Sequence, residues 1–306
     1  MTDTNIDTNP DPEPDTGPIS AEAVGLTVES IARVTLITRL RAGFMTPKGM
    51  GGLAILLVFA ALAIAAPWLF PGGPDEQSRD SLLSASLNHP FGTDELGRDI
   101  FVRTIYALRT DLSLVFVAVP IGMTIGTILG LTGVITPWLG NLSQRLFDLI
   151  LGFPGIVLGI TIVTIFEPGW TSLVITISII TIPAFGRLAR AALLREQQQE
   201  YVLAASVLGV GKVKILSRHI LPNVLDPIVV QVSASLVLGV FIESALSLVG
   251  LGVQPPRPSL GTLLNAASRY ISRQSMYVAG PTITLIVLAL GLNMIADALN
   301  RELDRR

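Results

Sequence analysis

Little in this 306-residue sequence can do covalent chemistry. It has no cysteine, which excludes thiol catalysis and disulfides. Its two histidines, His89 and His219, are too few for a histidine-built metal centre. The stretch "GVGKVK" at 209–214 has the look of a phosphate loop. It lacks the four-residue spacer between its glycines, the hydroxyl after the lysine and a preceding strand, so it is not a nucleotide site. What remains is a handful of polar side chains inside apolar runs, mainly Asp148, Glu243, Asn293 and Asp297. Beside them stands one basic, glycine-broken segment, "EYVLAASVLGVGKVKILSRHILPN" at 200–223.

The elements that must position these residues are membrane helices. The chain is 50% hydrophobic and 14% charged, with a mean hydropathy of +0.62; a soluble domain is about a quarter charged. A membrane crossing needs about 20 mostly apolar residues. Six stretches qualify, near 49–70, 112–135, 146–166, 171–186, 227–250 and 278–297, so the expected fold is all-α with six transmembrane helices. The net charge of −2 gives no reason to expect a nucleic-acid partner. Residues 1–18, "MTDTNIDTNPDPEPDTGP", are acidic and carry four prolines. They lack the basic and apolar parts of a signal peptide and are expected to form a disordered tail over 1–30, ahead of a membrane domain over 31–306.

Lysine and arginine set the orientation. With the N-terminus in the cytoplasm, inner segments hold 14 of them and outer segments 7, which favours cytoplasmic N- and C-termini. Two outer segments are long, 71–111 and 251–277. In the first, Ile100, Ile105 and Leu108 alternate with Arg98, Arg103 and Arg109, as in a helix or loop lying on the membrane surface. Glu243, in "SLVLGVFIESALSLVG", is the ionisable residue deepest in an apolar run. A carboxylate there is costly unless it faces protein or water, so it should point into the bundle with Ser244 and Ser247, leaving Leu246 and Leu248 toward lipid. Two readings stay open. Glu243 bonds the adjacent outer loop near Arg257, or it lines an outer gate in a solute path.

The 200–223 segment reads as helix, glycine turn, helix, on the cytoplasmic side. Val202, Ala205, Gly209 and Val213 have the spacing of one helical face, and Gly209 and Gly211 interrupt it. A second helix over 212–219 should end at Pro222. Small residues in its first half would let another protein approach the backbone, with the turn seated in a groove of a soluble partner. A plain linker between the fourth and fifth spans is the alternative.

The same segment resembles the cytoplasmic signature of ABC importer permeases. Ala204 and Ala205 match its alanines, Gly209 its glycine, and Leu221 and Pro222 its ending. Leu203 stands where the family usually has Glu, and His219 where it has Ile. "RHILPN" at 218–223, "FGTDELGRD" at 91–99 and "SLVGLGVQPPRPSLGTLL" at 247–264 are similar to the C-type permease of the dipeptide, oligopeptide and nickel group. The resemblance implies an importer core over about 110–300 and a coupling helix between the fourth and fifth spans, in the cell membrane of a prokaryote. It implies a homologous second permease, two cytoplasmic ATPases and an extracytoplasmic solute-binding protein as partners. The chain itself would be non-catalytic and hold no cofactor; ATP and Mg would be bound by the ATPases. Loss of the usual Glu at Leu203 would make docking more apolar. Peptide is the expected cargo, with nickel or another small solute as the alternative. An ion-driven transporter would need inverted repeats and more midspan polar residues than this chain offers, and a membrane scaffold would not need the signature.

Overall fold

The computed structural model describes residues 41–303, and the tail expected over 1–30 lies outside them. Among the described residues the regular structure is helical, with two isolated antiparallel bridges, Gln77 with Arg98 and Thr93 with Asp99, in the loops. Five helices are long and apolar enough to cross a membrane, and a bent pair makes a sixth if taken as one span. They are α1 (Pro47–Leu69), α2 (Ile100–Leu131), the pair α3 (Pro137–Leu151) and α4 (Gly155–Phe166), α5 (Trp170–Glu196), α8 (Leu221–Leu248) and α10 (Ser275–Leu303). Short α6 (Glu200–Val207) and α7 (Lys212–Ile215) lie between α5 and α8, and α9 (Leu260–Ser268) precedes α10.

The boundaries follow from capping and proline. Thr46 starts α1 by accepting from Gly49 N at 3.0 Å, with Pro47 in the first turn, where its missing N–H costs nothing. Asp99 starts α2, accepting from the backbone N–H groups of Phe101 and Val102 at 2.7 and 3.1 Å. α2 then runs 32 residues, which at about 1.5 Å each is roughly 48 Å, against a hydrocarbon core of about 30 Å. The surface element expected before residue 112 is therefore the first turns of α2. Ile100, Ile105 and Leu108 are buried in protein; Ile100 packs in a cluster with Phe91, Ala267 and Tyr277, and Leu108 joins the main core of the bundle.

The span expected near 146–166 is bent. Its apolar run is continuous, but α3 and α4 meet at a 92° bend. Pro154 stands at the start of α4, and the residue before a proline is pushed out of the helical region, so the chain turns there. At about 1.5 Å per residue, neither the 15-residue α3 nor the 12-residue α4 crosses the core alone.

The bundle is built on a close α2–α5 contact. Gly122, Gly126 and Gly130 repeat every fourth residue along one face of α2, and a Cβ on any of them would run into α5, at Ser178 and Thr181, at Ile182 and Phe185, and at Gly186 and Ala189. Small residues let helix backbones approach, which in lipid matters more than apolar burial between helices. Ser178 Oγ uses that proximity to donate to the carbonyl of Ala118 at 2.9 Å. α8 packs across both helices, with Gly239 against Val115 and Ile177. At the end of the bundle where α2 begins, the 71–99 segment is an ordered platform. Asp94 accepts from Leu96 N, Arg98 N and Arg98 Nε at 2.9, 2.9 and 2.7 Å. Gln274 Nε2 donates to the Leu83 carbonyl at 2.6 Å and the Tyr277 hydroxyl to Glu95 at 3.0 Å, tying the platform to the start of α10.

Candidate functional site

The 200–223 segment is a short helix with a defined stop. Leu208 N donates to Ala204 O at 3.0 Å, Gly209 N to Ser206 O at 3.1 Å and Val210 N to Ala205 O at 3.1 Å. That pattern is a Schellman motif, and it places Gly209 in the left-handed region at φ +77°. A Cβ on Gly209 would meet nothing within 4 Å, so the glycine answers to backbone conformation and not to crowding inside this chain.

The turn also corrects the expected single face. Val202 and Ala205 point inward and are buried, but Val213 is 67% exposed, because the chain changes direction at Gly209. Leu203, Val207, Leu208 and Val213 stand outward as an apolar ridge; Ala204 is exposed beside them. Leu221 is half-buried against the core and Pro222 is half-buried in the first turn of α8. Pro222 does not end the second helix as expected. Helical structure runs on from Lys212 to Leu248 through a π-turn at Leu216–Ile220. A proline is tolerated in a first turn, and the Asn223 side chain donates to the His219 carbonyl at 3.2 Å beside it.

What fixes this segment to the bundle is a buried polar network absent from the sequence reading. Glu196, at the end of α5, is 7% exposed. It accepts from the Tyr201 hydroxyl, and Asn223 Nδ2 donates to Glu196 at 3.2 Å and to the Tyr201 oxygen at 2.9 Å. Burial, then the Glu196 carboxylate beside it, pushes the Tyr201 phenol up to about 12. Three elements, α5, α6 and α8, thus meet at one carboxylate. A cavity of about 310 Å³ lies beside them, lined by Gly133, Pro137, Val202, Leu203, Ser206 and Lys212 among others.

Glu243 is fully buried. Ser247 Oγ donates to it at 2.6 Å and Ser244 Oγ at 3.3 Å, and Ser259 Oγ donates to Ser247 Oγ at 3.3 Å. Asp111 of α2, also fully buried, lies within electrostatic reach of Glu243. One of its oxygens accepts from Leu260 N at 3.1 Å, at the start of α9; the other has no hydrogen-bond partner among the described residues. The cluster therefore joins α2, α8 and α9. Arg257 lines a separate cavity. Leu246, expected toward lipid, is buried because α8 turns that side onto the bundle, while Leu248 is exposed. Asp148 pairs with Arg187 at 2.5 Å, and Asn293 and Asp297 are exposed on α10.

Comparison with known proteins identifies the family of the chain. A family model described as the inner membrane component of binding-protein-dependent transport systems matches residues 119–306. The chain is 37% identical over 270 residues to a di/tripeptide transport system permease protein, DppC, of Pseudomonas aeruginosa, covering 85% of this chain and 89% of that one. It is 38% identical over 255 residues to a dipeptide permease DppC of Alkalihalophilus pseudofirmus, covering 83% and 84%. It is 36% identical over 261 residues to a glutathione permease, GsiD, of Pectobacterium atrosepticum, covering 83% and 85%. In fold it is similar to the inward-facing MetNI methionine ABC transporter, with a TM-score of 0.56 at 18% identity over 65% of this chain and 95% of that chain. With the family model matched over 119–306 and relatives this similar along most of their length, the chain belongs to the family of binding-protein-dependent transport system inner membrane components.

Proposed function

We propose that the chain is the permease subunit of an ATP-driven importer of short peptides in a prokaryotic cell membrane. It forms the translocation path with a second, homologous permease. Two cytoplasmic ATPases dock on α6 and supply the energy, and an extracytoplasmic binding protein delivers the cargo; this chain carries no catalytic step itself. The observation that carries the reading is the built α6 segment. An exposed apolar ridge through Leu203 and Leu208 is offered to a partner, while Glu196, Tyr201 and Asn223 lock its other side to α5 and α8. A push on α6 then reaches the bundle as a rigid-body movement. Leu203, in place of an acidic residue, makes the contact apolar. Di- and tripeptide permeases among the relatives support the cargo class. Membership in a binding-protein-dependent family leaves the ion-driven and scaffold readings without support.

The test is reconstitution. The chain, its partner permease, the ATPases and the binding protein are placed in proteoliposomes, and uptake of labelled trialanine is followed with and without ATP. ATP-dependent uptake is expected. Uptake of a nickel chelate with no peptide uptake would overturn the cargo assignment, and uptake driven by an ion gradient without ATP would overturn the class.

A further inference from the structure

A cavity of about 520 Å³ opens at the end of the bundle opposite α6, where α2 and α5 begin and the loop before α9 passes. Asp75, Tyr106, Arg109, Ser113, Trp170 and Arg257 line it. The size lies within the range of small-molecule sites. Two arginines, Arg109 and Arg257, are among its lining residues. Arg98 and Arg103 nearby are engaged, Arg98 with Asp94 at 2.7 Å and Arg103 with Asp75 at 3.3 Å. Arg109 and Arg257 are exposed and make no hydrogen bond or ion pair among the described residues.

The remaining walls are held in place. Trp170 Nε1 donates to Ser113 Oγ at 3.4 Å, and the Tyr106 hydroxyl donates to the Phe70 carbonyl at 3.2 Å. Arg257 sits between Pro256 and Pro258, whose rings restrict the backbone that presents it. Asp75 puts a negative charge on one wall, already shared between Arg103 and Arg98, at 3.3 and 3.6 Å. An anion in the cavity is therefore drawn toward Arg109 and Arg257, whose charges are not engaged by Asp75. Guanidinium groups pair with carboxylates in a planar, two-bond geometry.

We propose that this cavity receives the terminal carboxylate of the incoming peptide, with Arg109 and Arg257 as its charged partners and Tyr106 and Trp170 as apolar walls for the adjoining residue. A terminal carboxylate is common to all unmodified peptides, so a site that reads it tolerates any side chain. The proposal rests on the peptide-import reading above.

The experiment uses the full complex in proteoliposomes, with binding protein saturated by labelled trialanine or by labelled trialanine amide. The wild-type complex is expected to take up the free acid faster. In the double variant Arg109→Gln, Arg257→Gln, free-acid uptake should fall roughly tenfold, the scale of losing hydrogen bonds to a charged group, while amide uptake stays at the wild-type rate. The pair Arg109→Lys, Arg257→Lys keeps the charge and should keep the preference, which separates a lost charge from a lost assembly. A double glutamine variant that still prefers the free acid overturns the proposal. So does an equal fall for both peptides together with weaker stimulation of ATP hydrolysis by loaded binding protein, since the arginines would then seat an acidic side chain of that protein or a lipid phosphate. A wild-type complex that moves neither peptide sinks the peptide-import reading itself, and this site with it.

Discussion

In the proposed coupling role the α6 turn would do two things, keep its shape and face a partner, and Gly209 separates them. Its φ of +77° lies in the left-handed region, where an ordinary L residue costs about 1–2 kcal/mol. That is a factor of roughly 5–30 in the population of the closed turn. The space around the position is open, since a Cβ would meet nothing within 4 Å, so no internal clash adds to this. Gly209→Asn should behave nearly as wild type, because Asn visits this region readily. Gly209→Ala should lower coupled transport several-fold, by the backbone cost alone. Gly209→Trp carries the same backbone cost and also projects a large ring from the exposed side of the turn, where an ATPase would sit. It should abolish transport without reducing the amount of inserted subunit. The assay is trialanine uptake per ATP hydrolysed in proteoliposomes, with subunit content measured by immunoblot. Uptake by Gly209→Trp equal to that of Gly209→Ala would remove the partner from the argument. Wild-type uptake by Gly209→Trp would reduce the segment to a linker.

Three further outcomes are expected. The chain has no native cysteine and both Ser206 and Ser84 are exposed; Ser206→Cys should react with an impermeant thiol reagent only from the cytoplasmic side and Ser84→Cys only from outside, and labelling of Ser206→Cys in intact cells sinks the topology. Because burial and Glu196 raise the Tyr201 phenol from 10.0 to about 12, the folded state holds this proton more tightly than the unfolded chain. Its contribution to stability is full below about pH 10 and is lost as pH rises toward 12; the phenolate absorbance of wild type minus Tyr201→Phe should show a midpoint near 12, and one near 10 refutes the buried network. Asp111→Ala leaves the Leu260 N–H buried without its acceptor, a loss of about 1–3 kcal/mol, whereas Asp111→Asn keeps an acceptor oxygen; the melting temperature of the detergent-solubilised subunit should fall clearly for Ala and less for Asn, and an unchanged value for Ala refutes the latch at α9.

Hydropathy made the crossings legible, because a lipid-exposed helix must be apolar along its length whatever it packs against. It failed where packing decides. The run near 146–166 gives no hydropathy signal for a 92° break, and only Pro154 marks it. Ile100, Ile105 and Leu108 looked like an interfacial stripe because partners that bury them, such as Ala267 and Tyr277 on Ile100, are distant in sequence. The glycines at 122, 126 and 130 were a readable packing signal, spaced for one helix face, that composition and span counting passed over. Glu243 was legible as a buried carboxylate, since its surroundings are apolar for many residues on either side. Its companions were not: Asp111 sits one helix away and reads, in sequence, as the polar end of an outer segment. Glu196 and Asn223 were invisible as a pair for the same reason, each being an ordinary polar residue at a helix end until the fold brings both to Tyr201.

The placement of these polar groups explains why α8 can act as one piece. Helical structure from Lys212 to Leu248 spans 37 residues, which at about 1.5 Å each is roughly 55 Å, enough to reach from α6 to α9. Near one end Asn223 ties it to Glu196 and Tyr201; near the other Glu243 and Ser247 tie it to the Asp111–Leu260–Ser259 cluster. Between them the helix packs closely, as at Gly239 against Val115 and Ile177. Hydrogen bonds in a low-dielectric interior are directional and costly to leave unmade. The two ends therefore help to fix the rotation and register of the helix, and the middle holds it close to α2 and α5. Under the coupling role proposed above for α6, an element held this way would pass a rotation at α6 to α9 without first breaking its own contacts.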